Sequence, residues 1–184
     1  MKHKLEIDGV RLSYGDKVIL SDIYLECSTG SVIGLLGRNG SGKSSLLQIL
    51  FGTKQNDDCS VRLNNKSIKP AYANNCIAYL PQFNFLPQGL RIQKAFQILG
   101  LPIEPFLNDL PELNNRKKSK LRELSGGFYR LVELYLMIKK EGKFVLLDEP
   151  FTHIMPLHIE MIKKWIIEEK RLKVLSSATI FIST

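Results

Sequence analysis

The chain has 184 residues, the size of one domain, and a domain of this length buries about 70% of the surface that its unfolded form exposes. Its hydrophobic fraction of 44% and charged fraction of 24% are ordinary for globular proteins, which argues against a disordered chain and a membrane-spanning class. Subtracting 18 acidic from 26 basic residues gives a net charge of +8, which favours an anionic partner such as a nucleotide, a nucleic acid or a lipid head group.

The first third of the sequence predicts strands followed by a helix. Apolar and polar residues alternate from Leu5 to Cys27, interrupted by glycines, which is typical of an antiparallel β layer. The apolar run Ser31 to Leu36 does not alternate, which predicts a strand covered on both faces. Leucines at helical spacing then predict a helix from Lys43 to Phe51 that ends at Gly52.

The remaining elements alternate between helices and strands. Short apolar segments predict strands at 59–64, 76–80, Phe144–Leu147 and Lys173–Ser177. Helical spacing predicts helices at Leu90–Leu99, Ile103–Leu110 and Leu131–Ile138, and a last helix with an apolar stripe of Leu157, Met161, Trp165 and Ile166. The polar, basic segment Asn114–Arg122 is expected to be a solvated loop.

A glycine-rich turn between a predicted strand and a predicted helix fits the P-loop pattern G-x-x-x-x-G-K-[ST]. Glycines let the main chain turn tightly, so that several N–H groups form a nest for phosphate oxygens at the positive end of the helix dipole. A lysine adds a full positive charge near the outer phosphates. The candidate ATP-binding residues of this turn are Gly37, Arg38, Asn39, Gly40, Ser41, Gly42, Lys43 and Ser44.

Two adjacent carboxylates follow the apolar strand at Phe144 to Leu147. In a P-loop protein the first acid, Asp148, belongs at Mg²⁺ together with the Ser44 hydroxyl, and the metal bridges the phosphates. The second, Glu149, is a candidate general base that polarises the attacking water. The sequence therefore predicts ATP and Mg²⁺ as cofactors, with Lys43 and Glu149 among the catalytic residues.

A third element makes the pattern resemble one family. Leu124-Ser125-Gly126-Gly127 lies between the two nucleotide elements and is similar to the signature motif of the ABC ATPases. Gln82 resembles the glutamine of that family's Q-loop, and Tyr14 resembles its adenine-stacking aromatic residue. The resemblance covers residues 5 to about 150, in the family's order.

The resemblance implies roles for these residues. Tyr14 would stack on adenine, Gly37 to Ser45 would wrap the phosphates, and Gln82 would bind metal or water and link it to a membrane partner. Ser125, Gly126 and Gly127 would cap the ATP held by a second nucleotide-binding domain. The expected fold is α/β: a P-loop NTPase core, residues 1–83 and 125–184, with an N-terminal antiparallel β layer and a small inserted helical subdomain at about 84–124.

The resemblance also implies partners and a location. We expect a homodimer of nucleotide-binding domains attached to an integral membrane transporter subunit, and we do not expect nucleic acid as a partner. The sequence contains neither an apolar stretch of about 20 residues nor a secretory signal. The expected location is the cytoplasm, peripherally on the inner face of the membrane.

The sequence departs from the family pattern after Glu149. The loop that follows, Pro150 to Pro156, lacks the usual D-loop aspartate, and no histidine follows His158 where a switch histidine is expected. Phe128 stands where a polar residue commonly follows the signature glycines. His153 and His158 are interpreted as ordinary surface or helix residues. Slow hydrolysis and a longer native chain are both open, as are two other functions: a soluble ABC protein outside transport, and a regulator that binds nucleotide without turnover.

Overall fold

The computed structural model describes residues 3–55, 59–68, 70–169 and 174–176. The strands are β1 (Lys4–Tyr14), β2 (Lys17–Ser28), β3 (Ile33–Gly34), β4 (Ser60–Leu63), β5 (Lys66–Ser67), β6 (Ile77–Leu80), β7 (Phe144–Leu147) and β8 (Val174–Ser176). The α-helices are α1 (Lys43–Phe51), α2 (Ile92–Ile98), α3 (Glu104–Asp109), α4 (Gly126–Lys139) and α5 (Pro156–Glu168). Short 3₁₀ helices lie at Ala71–Asn74, Pro111–Arg116 and Leu121–Glu123.

The chain divides into two compact units. The first unit comprises Met1–Gln82, Glu141–Pro150 and Lys170–Thr184, and the second comprises Phe83–Lys140 and Phe151–Glu169. The second unit includes residues 84–124, for which the sequence predicts an inserted helical subdomain, and it also includes α4 and α5. The first unit contains all eight strands of the described residues together with α1.

The antiparallel β layer predicted for the N-terminus is present in the first unit. β1 pairs with β2 and with β4, and β4 pairs with β5, all antiparallel, in the order β2-β1-β4-β5. Leu5 pairs with Cys27 on one side and with Leu63 on the other, and all three side chains are buried. The alternation thus predicted the buried side chains of Leu5, Ile7 and Cys27 correctly, whereas Val18 in the same pattern is 62% exposed.

A second sheet in the same unit is parallel. Its described strands lie in the order β3-β8-β7-β6, and every neighbouring pair is parallel. All four residues of β7 are buried, as its continuous apolar run predicted. The prediction for Ser31 to Leu36 was wrong in extent, because only Ile33–Gly34 forms a strand, at the edge of the described sheet, and Leu36 is 65% exposed.

Helix α1 packs in one hydrophobic core with both sheets. Its buried residues are Leu46, Leu47, Ile49 and Leu50, and they share the core with Ile7 of β1 and Leu146 of β7. The helix ends at Gly52, whose φ of 96° is a left-handed conformation that glycine adopts without strain. The residues just before α1 are thereby fixed at the junction of the two sheets.

The second unit is built around buried aromatic rings. Tyr135 of α4 lies 5.1 Å from Phe106 of α3 and 5.0 Å from Trp165 of α5, measured between ring centroids. The Trp165 Nε1–H group donates to Asp109 Oδ2 over 2.7 Å, so the buried indole has its polar partner. This cluster fixes α3, α4 and α5 as a helical unit.

Two predictions for the second unit were wrong in detail. Leu157 is 79% exposed, and the buried residues of α5 are His158, Ile162, Trp165 and Ile166, because the apolar stripe is displaced by one residue at its N-terminal end. The basic segment Asn114–Arg122 is not wholly a solvated loop, since it includes 3₁₀ turns and Leu121 is fully buried.

In the described part of the chain, no helix combines the length and apolarity needed to cross a bilayer.

Candidate functional site

The glycine-rich turn before α1 requires glycine at two positions. Gly40 and Gly42 have φ values of 79° and 92°, in the left-handed region. At Gly42 space is also limiting, since a Cβ would lie 2.8 Å from side-chain atoms of both Ile19 and Leu20. Gly42 is the residue from which α1 begins, so the main chain must turn here against the wall formed by β2.

Lys43 folds back over this turn. Its ammonium donates to the carbonyl of Gly37 over 2.7 Å and to that of Arg38 over 3.0 Å. Gly37 to Ser41 are exposed, and the first N–H groups of α1 follow directly after them. A cation beside the positive end of a helix attracts anions, and the long lysine side chain allows the ammonium to turn from these carbonyls toward an anion.

Ser44 and Asp148 are brought together although they lie far apart in sequence. The Ser44 hydroxyl donates to Asp148 Oδ1 over 3.0 Å, and the Tyr79 hydroxyl donates to Asp148 Oδ2 over 3.3 Å. Asp148 is only 1% exposed. Mg²⁺ prefers oxygen ligands, and the Ser44 hydroxyl and the Asp148 carboxylate both supply them. These two residues therefore fit a divalent cation. Tyr79 was not singled out from the sequence.

Gln82 and Glu149 also meet, because they follow neighbouring parallel strands. Leu80 of β6 pairs with Leu147 of β7, so the residues after both strands emerge at the same edge of the sheet. The Gln82 Nε2–H group donates to Glu149 Oε2 over 2.9 Å. Glu149 has a φ of 46°, a strained conformation for a residue other than glycine, and such strain is commonly found at functional sites.

Tyr14 lies beside the start of α1. Its ring is 56% exposed, and its hydroxyl accepts a hydrogen bond from the Lys54 ammonium, which also donates to Ser45 Oγ over 3.4 Å. The hydrogen bond from Lys54 lowers the pKa of Tyr14. Lys54 carries no sequence signal because it belongs to no motif, yet it places a second cation near the turn.

The Leu-Ser-Gly-Gly motif begins a helix in the second unit. Ser125 is the N-cap of α4 and its hydroxyl accepts the Phe128 N–H at 3.4 Å. A Cβ on Gly127 would lie 3.0 Å from the His153 carbonyl oxygen, whereas a Cβ on Gly126 would meet nothing within 4 Å. Gly127 thus permits close packing against the His153 carbonyl, whereas the main chain at Gly126 faces open space.

Two histidines and one carboxylate lie outside the motifs described above. His153 is exposed, and His158 is buried on α5 with its ring 5.8 Å from that of Phe128. Glu133 of α4 is fully buried, and the sequence shows it as a charged residue inside an apolar helical run. Across the described ranges, no group of three or more His, Cys, Asp or Glu could hold a metal ion. Mg²⁺ does not require such a group, since it commonly uses one or two protein ligands together with phosphates.

Comparisons with known proteins match this chain to an ABC transporter family model and to ATP-binding proteins. The family model described as ABC transporter matches residues 20–152. An uncharacterized ABC transporter ATP-binding protein of Methanocaldococcus jannaschii is 29% identical over all of this chain and 69% of its own length. A Nod factor export ATP-binding protein of Cupriavidus pinatubonensis is 31% identical over 83% of this chain, and a methionine import ATP-binding protein of Clostridium tetani is 30% identical over 88%. The chain spans 50% and 56% of the length of the latter two.

Solved structures show the same fold. An ATP-binding subunit of an ABC transporter superposes with a TM-score of 0.80 at 22% identity, covering 94% of this chain and 78% of that one. An ABC transporter ATP-binding protein of Pyrococcus furiosus also reaches 0.80 at 23% identity, covering 97% and 92%. The expected α/β P-loop fold is thereby confirmed. With a family model that matches most of its length, the chain belongs to the ABC transporter family.

Proposed function

We propose that the chain binds and hydrolyses Mg-ATP and uses the closure of two nucleotide-binding domains to drive a separate membrane transporter subunit. The observation that carries this proposal is the 3.0 Å hydrogen bond between Ser44 and Asp148. It joins the first turn of α1 to the end of β7, and thus the phosphate-binding turn to the acidic pair. Either motif alone is weak evidence, whereas their meeting in one place supports a nucleotide site.

In the proposed complex the turn from Gly37 to Ser45 holds the phosphates of ATP. Main-chain N–H groups at the start of α1 supply the donors, and Lys43 exchanges its carbonyl partners for phosphate oxygens. Tyr14, whose ring is exposed, stacks on adenine. The turn, Lys43 and Tyr14 are therefore the proposed ATP-binding part of the site.

The opposite side of the site is acidic and is assigned to the metal and to water. Ser44 and Asp148 would hold Mg²⁺, which neutralises the charge that develops on the phosphates during transfer. Glu149 accepts the proton of the attacking water, and Gln82, which donates to Glu149, orients that carboxylate and contacts the metal or water. Gln82, Glu149 and Lys43 are thus the proposed catalytic residues.

The signature motif is proposed to act on a second copy of the chain. Ser125, Gly126 and Gly127 begin α4, so their main-chain N–H groups and the serine hydroxyl are suited to contact the phosphates of ATP bound by a partner protomer. A homodimer would then hold two nucleotides at its interface. ATP binding would favour the closed dimer, and hydrolysis would release it.

The proposed membrane partner binds near the residues that follow Gln82. Phe83 is 79% exposed and Phe85 is 40% exposed, so two aromatic side chains lie on the surface within three residues of a proposed catalytic residue. Exposed apolar groups of this kind commonly mark protein interfaces. The relatives include both an import and an export protein, so we propose transport at the inner face of the membrane without assigning its direction.

Titration calorimetry and ATPase assays test the proposal. Lys43→Ala should weaken Mg-ATP binding by about 2 kcal/mol, since a phosphate charge loses its ammonium partner. Lys66→Ala, which removes an exposed lysine from β5, is the matched charge control. Absence of Mg-ATP binding by the folded wild type would reject the function altogether.

Turnover separates a motor from a regulator. Glu149→Gln should abolish hydrolysis and preserve ATP binding, because the amide cannot accept the proton of water. Equal, measurable rates in the wild type and Glu149→Gln would remove Glu149 as the general base. A wild type that hydrolyses no ATP, with or without membrane extract, would indicate a nucleotide-binding regulator without turnover. Purification of the native complex without any integral membrane protein would contradict the transport role.

A further inference from the structure

Glu133 is a charged residue in an apolar environment. It lies on α4 within the run Leu131 to Ile138, and its side chain is 0% exposed. Burial of a carboxylate is costly unless hydrogen-bond donors surround it. The position of those donors therefore indicates what the residue does.

The donors are main-chain groups of the segment that follows Gln82. Glu133 Oε1 accepts the N–H of Phe85 over 2.7 Å and the N–H of Leu86 over 3.0 Å. On the other oxygen, Arg130 donates to Oε2 over 3.4 Å. One carboxylate oxygen thus accepts both of these main-chain N–H groups.

A second side chain of α4 holds the same segment. The Tyr129 hydroxyl donates to the carbonyl of Leu86, and Tyr129 precedes Glu133 by four residues, so both side chains project from one face of the helix. Leu86 is held through both its N–H and its carbonyl. With the main chain fixed from the inside, the side chains of Phe83 and Phe85 are left exposed.

We propose that Glu133 is a positioning residue for Gln82. It anchors Phe85 and Leu86 to the helix that begins at Ser125, so the chain leaving Gln82 and the start of the signature helix are held in one arrangement. Displacement of either would be transmitted to the other through the carboxylate. This inference rests on the proposed function, in which Gln82 acts at the nucleotide.

Three readouts on matched variants test it. Glu133→Met removes the acceptor with little change in volume, Glu133→Gln keeps one oxygen for both N–H groups, and Arg130→Met removes the cation alone. Hydrogen exchange at the amides of Phe85 and Leu86 should accelerate at least about tenfold in Glu133→Met and much less in Glu133→Gln. Unchanged exchange in Glu133→Met would overturn the anchor.

The side-chain amide signals of Gln82 in NMR spectra report its position without any turnover. They should shift in Glu133→Met and keep their wild-type positions in Glu133→Gln. Signals unmoved by Glu133→Met would overturn the positioning role. Tyr129→Phe, which frees only the Leu86 carbonyl, should shift the same signals less, and it provides a test if Glu133→Met does not fold.

Kinetics distinguish this inference from the proposed function. Glu133→Met should lower kcat of ATP hydrolysis about tenfold with KM unchanged, and it should cause no further loss in a Gln82→Ala background. Additive losses would show that Glu133 does not act through Gln82. A wild type that binds no ATP would reject the proposed function, while the exchange and NMR measurements would still decide the role of Glu133.

Discussion

Ser44 Oγ and Asp148 Oδ1 lie 3.0 Å apart across a sequence separation of 104 residues. The tyrosine hydroxyl of Tyr79 lies on the other oxygen of the same carboxylate, at 3.3 Å. Asp148 is therefore held from two sides: Oδ1 accepts from Ser44 of α1, and Oδ2 accepts from Tyr79 of β6. That arrangement separates two roles: Ser44 is placed to share a cation with Asp148, and Tyr79 is placed to orient it.

Ser44→Ala should remove most of the Mg²⁺ dependence of ATP binding. Loss of one oxygen ligand should weaken Mg-ATP binding by about 1 to 2 kcal/mol, whereas binding of ATP in the presence of EDTA should change little. Calorimetric titrations with and without Mg²⁺ measure both values. Tyr79→Phe is the control, because it takes away a hydroxyl from the same carboxylate and leaves Ser44 in place. An equal effect of the two variants would contradict the assignment.

Gly42→Ala should destabilise the fold more than Gly40→Ala. Both residues have positive φ, which costs about 1 kcal/mol for alanine. At Gly42 the new methyl group must also displace side-chain atoms of Ile19 and Leu20 that lie 2.8 Å away, whereas at Gly40 nothing lies within 4 Å. Overpacking should add about 1 to 2 kcal/mol at Gly42.

Urea unfolding without nucleotide measures the two free energies of unfolding. The absence of nucleotide matters because both glycines belong to the proposed ATP site. Equal destabilisation by the two substitutions would show that backbone strain alone determines the cost, and that the contact with β2 does not.

Local patterns in the sequence predicted those parts of the structure that local forces determine. The spacing of leucines and the glycine after Phe51 were sufficient to predict α1 with its observed ends. The buried run of β7 was equally clear. The exposure of Leu36 was not predictable, because an apolar run does not reveal whether other elements cover both its faces. On α5 the apolar residues are compatible with two neighbouring stripes, and packing selects the one that buries Ile162 and leaves Leu157 exposed.

The site was predictable where a motif exists and unpredictable where a contact spans the chain. The P-loop and the acidic pair predicted that Ser44 and Asp148 would act together, and the fold places them in contact. Lys54, Tyr79 and Glu133 belong to no motif, and each has a partner between 40 and 69 residues away. Such pairs are set by the topology of the fold, which a single sequence does not show.

Lys54→Met should raise the pKa of Tyr14. In the wild type the Lys54 ammonium donates to the tyrosine hydroxyl and stabilises the phenolate, which lowers the pKa of Tyr14 below its ordinary value. Without the ammonium, ionisation of Tyr14 should therefore begin at higher pH. Absorbance at the phenolate band measures this ionisation. Because the chain has six tyrosines, the titration curve of a Tyr14→Phe variant is subtracted to remove the signal of the other five. Identical titration curves would show that Lys54 does not contact Tyr14 in solution.

Glu133→Gln should become more stable relative to the wild type as pH rises. Burial raises the pKa of Glu133 above its ordinary value of 4.5, and this outweighs the opposing effects of the Leu86 and Phe85 amides and of Arg130. A raised pKa in the folded state means that the folded protein binds the carboxyl proton of Glu133 more tightly than the unfolded chain does. The resulting stabilisation of the folded wild type is full below pH 4.5 and is lost as the pH rises through the pKa of Glu133 in the folded state. Glutamine has no proton to lose, so the difference in free energy of unfolding between the variant and the wild type should grow in favour of the variant over that range. Urea unfolding of both proteins from pH 4.5 upward measures this difference in free energy of unfolding. A difference that shrinks with rising pH would mean that the Leu86 and Phe85 amides and Arg130 stabilise the carboxylate more than burial destabilises it.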